Sequence, residues 1–318
     1  MTDRSTLEAT LAPISAGRAT VRFDAGRASI VLDVTGLATD AQAEMEADVK
    51  TAAAALPGVD EVRVLLTSER KLRRMIAVAS GKGGVGKSTV AVNLAIALAR
   101  AGRKVGMVDA DIYGPSQTRL LGVEGIRPRH KDEKLIPVET RFGVPLLSMG
   151  GLVAEGQAIA WRGPMAGSAL GQLVDAEWGE HDLLVLDLPP GTGDVQLTMV
   201  QKHKPTGAVI VSTPQDLALI DARRAIDLFQ RMGVPVIGLI ENMAGYACPH
   251  CGEVSDPFGR GGAEAAAEAL GIPFLGRIPL ELTIREASDA GTPPAARNGP
   301  EAELFAALAA EIGRRLGG

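Results

Sequence analysis

Eight consecutive residues, 81–88, are of the types that bind the phosphates of a nucleotide. They read GKGGVGKS and match the phosphate-loop pattern G-x-x-x-x-G-K-[ST] at every fixed position. The glycines let successive backbone N–H groups turn toward phosphate oxygens, the final lysine reaches the β- and γ-phosphates, and the hydroxyl group binds Mg²⁺. The pattern therefore predicts a site for ATP and Mg²⁺, with Ser88 also on the metal. The predicted nucleotide-binding residues are Gly81, Lys82, Gly83, Gly84, Val85, Gly86, Lys87, Ser88 and Thr89.

The segments on either side of this loop are the elements that must position it. An apolar run at 75–79 precedes the loop and indicates a strand, and residues 87–100 have the pattern of a helix. This order of strand, loop and helix is the structural context that the pattern requires. The loop also carries a second lysine, Lys82, at a position where ordinary phosphate loops have none. That lysine indicates a nucleotide-binding protein of a dimerising kind.

Two later strand ends offer the carboxylates that a Mg²⁺–nucleotide site needs. Asp187 closes the apolar run 183–186 and is followed by the turn-rich segment 188–194, so we expect Asp187 beside Mg²⁺ and this segment at the γ-phosphate. Asp111 follows another apolar run, and we expect it at the attacking water, whereas Asp109 fits a structural role. For each carboxylate, the alternative is a helix cap or a turn.

The only two cysteines, Cys248 and Cys251, form a C-x-x-C pair in a turn-rich segment. A dithiol redox site would place such a pair at the start of a helix in a βαβ unit, which this segment is not. A structural zinc site needs four ligands, and His250, between the cysteines, is poorly placed to share their metal ion. Two pairs in a symmetric dimer would supply four thiolates, which suit an iron–sulfur cluster or a bridging zinc ion. An inert turn is the remaining alternative.

From residue 75 onward, apolar strand-like runs alternate with helical segments. Because these runs lack period-2 alternation, they predict an α/β fold of the P-loop NTPase type, in which helices flank a mainly parallel β-sheet. Ligands of such sheets bind beyond the carboxyl ends of the strands. The later predicted strands are 105–109, 183–187, 208–212, 235–240 and 274–278. Residues 124–134 are charged and without periodicity, and are predicted to form a surface loop.

The N-terminal residues 1–70 are predicted to form a separate small α+β domain with the order β-β-α-β. Its elements are a strand at 19–23, a strand at 30–34, a helix at 40–56, and a strand with Val62, Val64 and Leu66 on one face. The charged stretch 69–74 is either a linker or a solvated strand entrance. The ATPase domain with the C-x-x-C insertion then occupies residues 71–318.

The composition excludes several classes of protein. With 318 residues, 46% of them hydrophobic, the chain is long enough for about two domains with ample core. A formal net charge of −5 provides no basic footprint for nucleic acid. No apolar run approaches the ~18 residues of a membrane span, and the polar start lacks the pattern of a signal peptide. We therefore expect a cytoplasmic protein that binds neither nucleic acid nor membrane.

Five motifs together resemble the Mrp/ApbC family of iron–sulfur cluster carriers, and the resemblance covers nearly the whole chain. They are the segments 82–89 (KGGVGKST), 109–116 (DADIYGPS), 161–165 (WRGPM), 187–194 (DLPPGTGD) and 248–252 (CPHCG). The resemblance implies a homodimeric ATPase that binds a [4Fe–4S] cluster between its subunits through Cys248 and Cys251. It also implies that the cluster passes to apo iron–sulfur proteins, with cluster-assembly scaffold proteins as further partners.

The same resemblance implies roles for single residues. Lys82 would reach the nucleotide across the dimer interface and so couple the ATP state to dimer geometry and to the cluster. Asn242 matches the asparagine that reads the adenine base, with Pro279 near the base pocket. The N-terminal domain resembles a small domain related to cluster-assembly proteins, but it has no cysteine, so partner docking or delivery is its expected role. The implied catalytic residues are Lys82, Lys87, Asp111 and Asp187.

Two other classes of protein share parts of this pattern. A positioning ATPase of the MinD/ParA kind has the same loop but no use for the cysteines, and its membrane form uses an amphipathic C-terminal helix. Such a stripe is present at Leu304, Leu308, Ile312 and Leu316, although core packing is the commoner role of this spacing. A reductase of the nitrogenase iron-protein kind uses widely separated cysteines rather than a close pair.

Overall fold

The computed structural model describes residues 2–37, 39–67, 73–112, 114–131, 134–152 and 163–317. The chain divides into two compact units, Met1–Leu72 and Arg73–Gly318. Most of the predicted linker 69–74 lies outside the described residues, and so do Tyr113 and the Trp161–Arg162 part of the third motif.

The N-terminal unit is a three-stranded sheet covered on one face by two helices. Its elements are α1 (Arg4–Ser15), β1 (Ala19–Asp24), β2 (Arg27–Asp33), α2 (Thr39–Ala54) and β3 (Glu61–Thr67). The middle strand β2 pairs antiparallel with β1 and parallel with β3. Leu7 and Leu11 of α1 are buried with Ile30, Leu32 and Val49. Successive side chains of a strand point to opposite faces of the sheet, so every second residue of β1 and β2 lies on the covered face.

The helix α1 was not among the predicted elements of this unit. Its N-terminus is capped by Asp3, whose side chain accepts a hydrogen bond from the Thr6 N–H at 2.9 Å. Leu7 and Leu11 are spaced by one helical turn, but Pro13 lies in the last turn and weakens the helical pattern. Burial against the sheet therefore stabilises a helix whose own sequence signal is short.

The larger unit is built around a parallel sheet. Its elements are β4 (Arg74–Ala79), α3 (Lys87–Arg100), β5 (Val105–Asp109), α4 (Gln117–Leu120), β6 (Arg129–Lys131), β7 (Lys134–Ile136), β8 (Leu146–Ser148), α5 (Gly163–Val174), β9 (Leu183–Asp187), α6 (Asp194–His203), β10 (Gly207–Ser212), α7 (Asp216–Arg231), β11 (Val236–Asn242), β12 (Tyr246–Ala247), β13 (Val254–Ser255), α8 (Gly262–Ala269), β14 (Phe274–Ile278), α9 (Leu282–Asp289) and α10 (Pro300–Arg315). Seven of the strands form one sheet in the order β14-β11-β10-β4-β9-β5-β8.

Both faces of this sheet are covered, which explains the continuous apolar character of its strands. Helices α3 and α10 pack on one face, and α5, α6, α7 and α8 supply most of the apolar layer on the other. Every residue of β5 and of β9 is buried. The parallel order of the sheet confirms the predicted α/β class.

Three features of the larger unit differ from the sequence prediction or decide between its alternatives. The predicted loop 124–134 contains β6, whose three residues are all exposed and which pairs with β7 in a short hairpin. The edge strand β8 was not predicted, because three residues are too few to establish a period. Leu308 and Ile312 of the C-terminal stripe are buried, so this face of α10 belongs to the core.

None of the helices in the described part of the chain combines the length and apolar character needed to cross a bilayer.

Candidate nucleotide site and cysteine hairpin

The predicted site residues lie at one edge of the parallel sheet. Strands β4, β5, β9 and β11 all run in the same direction and end at Ala79, Asp109, Asp187 and Asn242. In the register of the sheet, Asp109 lies directly beside Asp187. The fold thus collects at one edge side chains that are more than one hundred residues apart in the chain, as expected for a parallel sheet.

The phosphate loop connects β4 to α3, and its backbone has the conformation that a phosphate cradle requires. Gly84 and Gly86 have φ angles of +80° and +79°, a region that favours glycine. The hydroxyl group of Ser80 donates to the Lys82 carbonyl oxygen at 2.9 Å and so braces the loop from its strand side. The loop ends at the N-terminus of a long helix, which favours bound anions. Ser88 and Thr89 are half-buried in the first turn of that helix.

Lys87 and Asp187 form a buried ion pair at the centre of the site. The Lys87 ammonium contacts Oδ1 of Asp187, and only 6% of the lysine side chain and 0% of the aspartate are exposed. The Lys87 ammonium also lies 3.4 Å from the hydroxyl oxygen of Ser88. A buried charge is stable only when it is paired and hydrogen-bonded, so each member of this pair depends on the other. The structure therefore brings together three of the predicted site residues.

Gln117 is a central residue of the site that the sequence analysis missed. Its side chain is fully buried, and Nε2 donates to Oδ2 of Asp187 at 2.7 Å and to the Ser88 carbonyl oxygen at 3.0 Å. The available signal was a polar residue directly after the 109–116 motif, and such a residue is more often a helix start than a site residue.

Asp109 is a fully buried carboxylate that organises the neighbouring turn. It accepts hydrogen bonds from the Asp111 N–H at 3.2 Å, the Gln117 N–H at 3.1 Å and the Ser148 hydroxyl group at 3.0 Å. Burial, followed by the negative charge of Asp187, raises the pKa of Asp109 from 3.8 to about 7. The three hydrogen bonds lower the pKa but do not offset these causes.

This raised pKa predicts a pH-dependent stability. The folded state holds a proton on Asp109 that the unfolded state has released, so the contribution is complete below pH 3.8 and is lost as the pH rises to about 7. In buffer without Mg²⁺ and nucleotide, Asp109→Asn should remove this part of the pH dependence. Urea unfolding at about pH 5 and about pH 7.5 measures it. If Asp109→Asn kept the wild-type difference in unfolding free energy between the two pH values, the assignment would be wrong. Asp227→Asn, which changes an exposed carboxylate, is the control.

The two other predicted catalytic residues lie around this centre. Asp111 is buried in the turn after β5, where Oδ1 accepts a hydrogen bond from the Gly114 N–H at 3.2 Å. Lys82 is half-buried, and its ammonium lies 3.5 Å from Oε1 of Gln215, just before α7. In the single chain, Lys82 therefore contacts the start of a neighbouring helix.

Asn242 contacts the phosphate loop directly. Its side chain is buried, and Nδ2 donates to the Val85 carbonyl oxygen at 2.8 Å. The contact requires a glycine at position 86, because a β-carbon there would lie 2.2 Å from Nδ2 of Asn242. A hydrogen bond thus connects the end of β11 to the phosphate loop that leads into α3. Contact with an adenine base, which the resemblance implied, stays a prediction.

Gly84 and Gly86 form a matched pair for testing this contact, because both have left-handed φ angles and only Gly86 faces Asn242. Alanine at either position carries a backbone cost of roughly 1–2 kcal/mol. Gly86→Ala should destabilise the nucleotide-free protein by about 2 kcal/mol more than Gly84→Ala, through overpacking. Adding Asn242→Ala should recover most of this difference in a urea-unfolding double-mutant cycle. Equal destabilisation by the two glycine variants would contradict the contact.

Cys248 and Cys251 lie in the turn of the hairpin β12–β13, which follows the end of β11 by three residues. The Cys248 N–H donates to the Glu253 carbonyl oxygen at 2.9 Å, and the Gly252 N–H donates to the Cys248 carbonyl oxygen at 2.8 Å. Cys251 is exposed and Cys248 half-buried. The hairpin therefore presents both sulfur atoms at the surface.

The environment of Cys248 favours a thiolate. The backbone N–H groups of His250 and Cys251, and then the Cys251 side chain, form hydrogen bonds with the Cys248 sulfur and lower the pKa of its thiol. Thiolates are the form that binds metals. Among the residues that the structure describes, no group of three or more His, Cys, Asp and Glu side chains could hold a metal ion. Within one chain, the pair therefore provides an incomplete metal site.

The fold and the site define a nucleotide-binding protein of the P-loop NTPase class. Residues 71–313 match the family model described as ParA, NUBPL iron-transfer P-loop NTPase. The chain belongs to this family. The match confirms the class of protein that the five motifs indicated.

Two relatives and one solved structure illustrate the similarity. An iron–sulfur cluster carrier protein of Pseudomonas fragi is 49% identical over 250 residues, which cover 77% of this chain and 87% of the relative. The iron–sulfur cluster carrier protein of Deinococcus radiodurans is 45% identical over 302 residues, covering 92% and 85%. A nucleotide-binding protein from Archaeoglobus fulgidus, solved in complex with ADP and with cobalt found, has a TM-score of 0.63 and 42% identity, covering 73% of this chain and 90% of that chain.

Proposed function

We propose that this protein binds and hydrolyses ATP, holds a [4Fe–4S] cluster between two copies of itself and transfers the cluster to apo iron–sulfur proteins. The observation that carries the proposal is the hairpin with Cys248 and Cys251, because it presents two sulfur ligands at the sheet edge that also holds the phosphate loop. The names of the relatives from Pseudomonas fragi and Deinococcus radiodurans support an iron–sulfur cargo.

The number of thiolates is the reason for a second copy. A [4Fe–4S] cluster is held by about four cysteine thiolates, and one hairpin supplies two. A two-fold axis beside the hairpin would bring a second, identical pair to the same cargo and complete its ligand shell. The lowered pKa of Cys248 supports the thiolate form that the cargo requires.

The nucleotide site would control this cargo. We assign phosphate binding to Lys87 and the loop N–H groups, Mg²⁺ to Ser88 and Asp187, and the attacking water to Asp111. The ADP in the Archaeoglobus fulgidus structure supports a nucleotide at this position. We assign Lys82 to the nucleotide of the second copy, which would couple the ATP state to the geometry of the dimer.

Metal analysis with solution mass tests the proposal on protein that is purified and reconstituted without oxygen. We expect a dimer with about two irons and about two acid-labile sulfides per chain, as four thiolates around one cluster require. Transfer is then measured as activity regained by an apo-enzyme that needs a [4Fe–4S] cluster, with and without ATP. A monomer without iron would contradict the carrier function, and zinc as the only metal would favour a zinc-bridged dimeric ATPase.

A positioning ATPase of the MinD/ParA kind remains the rival function, and the structure offers less support for its membrane form. The apolar stripe of α10 packs into the core through Leu308 and Ile312 and is not available to insert into a bilayer. We expect no ATP-dependent co-sedimentation with liposomes or DNA. We propose that the protein acts in the cytoplasm and that the N-terminal unit docks partner proteins.

A further inference from the structure

Gln117 forms hydrogen bonds with three elements of the nucleotide site: the ends of β5 and β9 and the first turn of α3. Its Nε2 donates to Oδ2 of Asp187, at the end of β9, and to the carbonyl oxygen of Ser88, in the first turn of α3. Its backbone N–H donates to Oδ2 of Asp109, at the end of β5. Moving any one of these groups would therefore disturb the hydrogen bonds of Gln117.

The carboxylate of Asp187 has one described side-chain partner on each oxygen. Lys87 contacts Oδ1 and Gln117 contacts Oδ2. In a phosphate loop the lysine at this position binds the β- and γ-phosphates, so Lys87 has to turn away from Asp187 when a nucleotide enters. Among the described residues, Gln117 is then the side-chain partner that still orients the Asp187 carboxylate while Mg²⁺ binds.

The other side-chain atom of Gln117 has an unused hydrogen-bonding capacity. Oε1 is buried, and it has no hydrogen-bond partner among the described residues. A buried acceptor without a donor is costly and calls for an explanation, and a bound water or ion is one such explanation. Mg²⁺ at nucleotide sites keeps several water ligands, and each of these waters is a hydrogen-bond donor. Nε2 of the same amide group contacts the Ser88 carbonyl oxygen and the Asp187 carboxylate, so Oε1 lies beside the residues assigned to Mg²⁺, where such a water would be bound.

We propose that Gln117 is a positioning residue for Mg²⁺ at this nucleotide site. Its Nε2 holds Asp187 and Ser88 at a fixed separation, and its Oε1 accepts a hydrogen bond from a water bound to the metal. The inference rests on the nucleotide-binding part of the proposed function and is independent of any cluster cargo.

Mg²⁺-dependent binding of ADP to the full chain tests this role. The Kd for ADP is measured by titration calorimetry with excess Mg²⁺ and with EDTA. The Kd in EDTA divided by the Kd in Mg²⁺ is the ratio that reports how much the metal strengthens nucleotide binding. Gln117→Met keeps the length of the side chain and removes both of its polar atoms. We expect this variant to lower the ratio about tenfold, the effect of one hydrogen bond to a charged group. Its Kd in EDTA should stay within about twofold of wild type, because the loop binds phosphate without metal.

Gln196→Met is the matched control for removing a buried glutamine. Gln196 is also buried, its Nε2 donates to the Pro189 carbonyl oxygen at 2.6 Å, and its Oε1 likewise has no described partner. This variant should lose stability and keep the wild-type ratio. The inference is overturned if Gln117→Met keeps the wild-type ratio, if it weakens binding equally in Mg²⁺ and EDTA, or if Gln196→Met changes the ratio as much.

Gln117→Asn provides a second test that does not depend on a polar-to-apolar change. It keeps the amide group and shortens the side chain by one methylene, so the amide can no longer reach both Asp187 and the Ser88 carbonyl oxygen. The ratio should therefore fall as it does in Gln117→Met. A wild-type ratio in this variant would contradict the positioning role. Absence of ADP binding by the wild-type chain would overturn this inference together with the proposed nucleotide function.

Discussion

Replacing Lys87 with glutamine should weaken binding of Mg²⁺–ATP about 100-fold, since a hydrogen bond between charged groups is worth up to about 3 kcal/mol. The same change should affect folding less than Lys87→Ala would. In the structure, Lys87 is the charged partner of the fully buried Asp187, and removing one partner of such a pair typically costs about 3–5 kcal/mol. A glutamine amide can still donate to the Asp187 carboxylate, so Lys87→Gln separates the loss of phosphate binding from unfolding.

Equilibrium titration with ATP, combined with urea unfolding, measures both effects. Lys104→Gln is the matched control, because Lys104 is exposed and its ammonium lies 3.9 Å from the nearest carboxylate oxygen, on Glu180. This control should leave ATP affinity and stability unchanged. Wild-type affinity in Lys87→Gln would show that the loop does not bind phosphate through Lys87 and would remove the basis of the nucleotide site.

Replacing either cysteine with alanine should abolish cluster binding and leave the nucleotide site intact. With Cys248→Ala or Cys251→Ala, a dimer would retain two thiolates of the about four that a cluster needs, and we expect iron to fall from about two per chain to nearly none. Both residues lie in an exposed hairpin turn that is held by backbone hydrogen bonds. Unfolding free energy should therefore change by less than about 0.5 kcal/mol.

His250→Ala is the control for the cysteine variants. The backbone N–H of His250 contributes to the environment of the Cys248 sulfur, and alanine keeps that N–H. Iron and sulfide content should therefore match wild type, as should ADP affinity in all three variants. Equal loss of iron in His250→Ala and in the cysteine variants would contradict a shell of four thiolates. Normal cluster binding by either cysteine variant would refute the carrier function itself.

Much of the fold followed from sequence pattern because its signals are local. The phosphate loop, the strand before it and the helix after it are one continuous segment, and the buried strands are short apolar runs between turns. Elements with weak local signals were missed. The helix α1 depends on two leucines packed against a sheet, and β8 has only three residues at the sheet edge. Tertiary contacts stabilise both elements more than their own sequences do.

The candidate site, like the fold, has residues that the sequence identifies and residues that only the structure reveals. The residue types of the phosphate loop, the strand-end carboxylates and the cysteine pair were identifiable from sequence, because backbone flexibility and ligand chemistry restrict which residues can occupy such positions. Gln117 was not identifiable, since its role depends on Asp187, which lies seventy residues further along the chain. The contact between Asn242 and Val85 likewise joins residues 157 positions apart.

The amino-acid sequence by itself determined the class of fold and predicted the nucleotide chemistry of the loop and the ligand chemistry of the cysteines, because each depends on residues that are neighbours in the chain. Only the tertiary structure decided that Lys87 pairs with Asp187, that Gln117 orients this carboxylate and that Asp109 is buried enough for its pKa to rise to about 7. Those properties depend on distance and burial, which arise when the parallel strands assemble and bring their ends to one edge of the sheet.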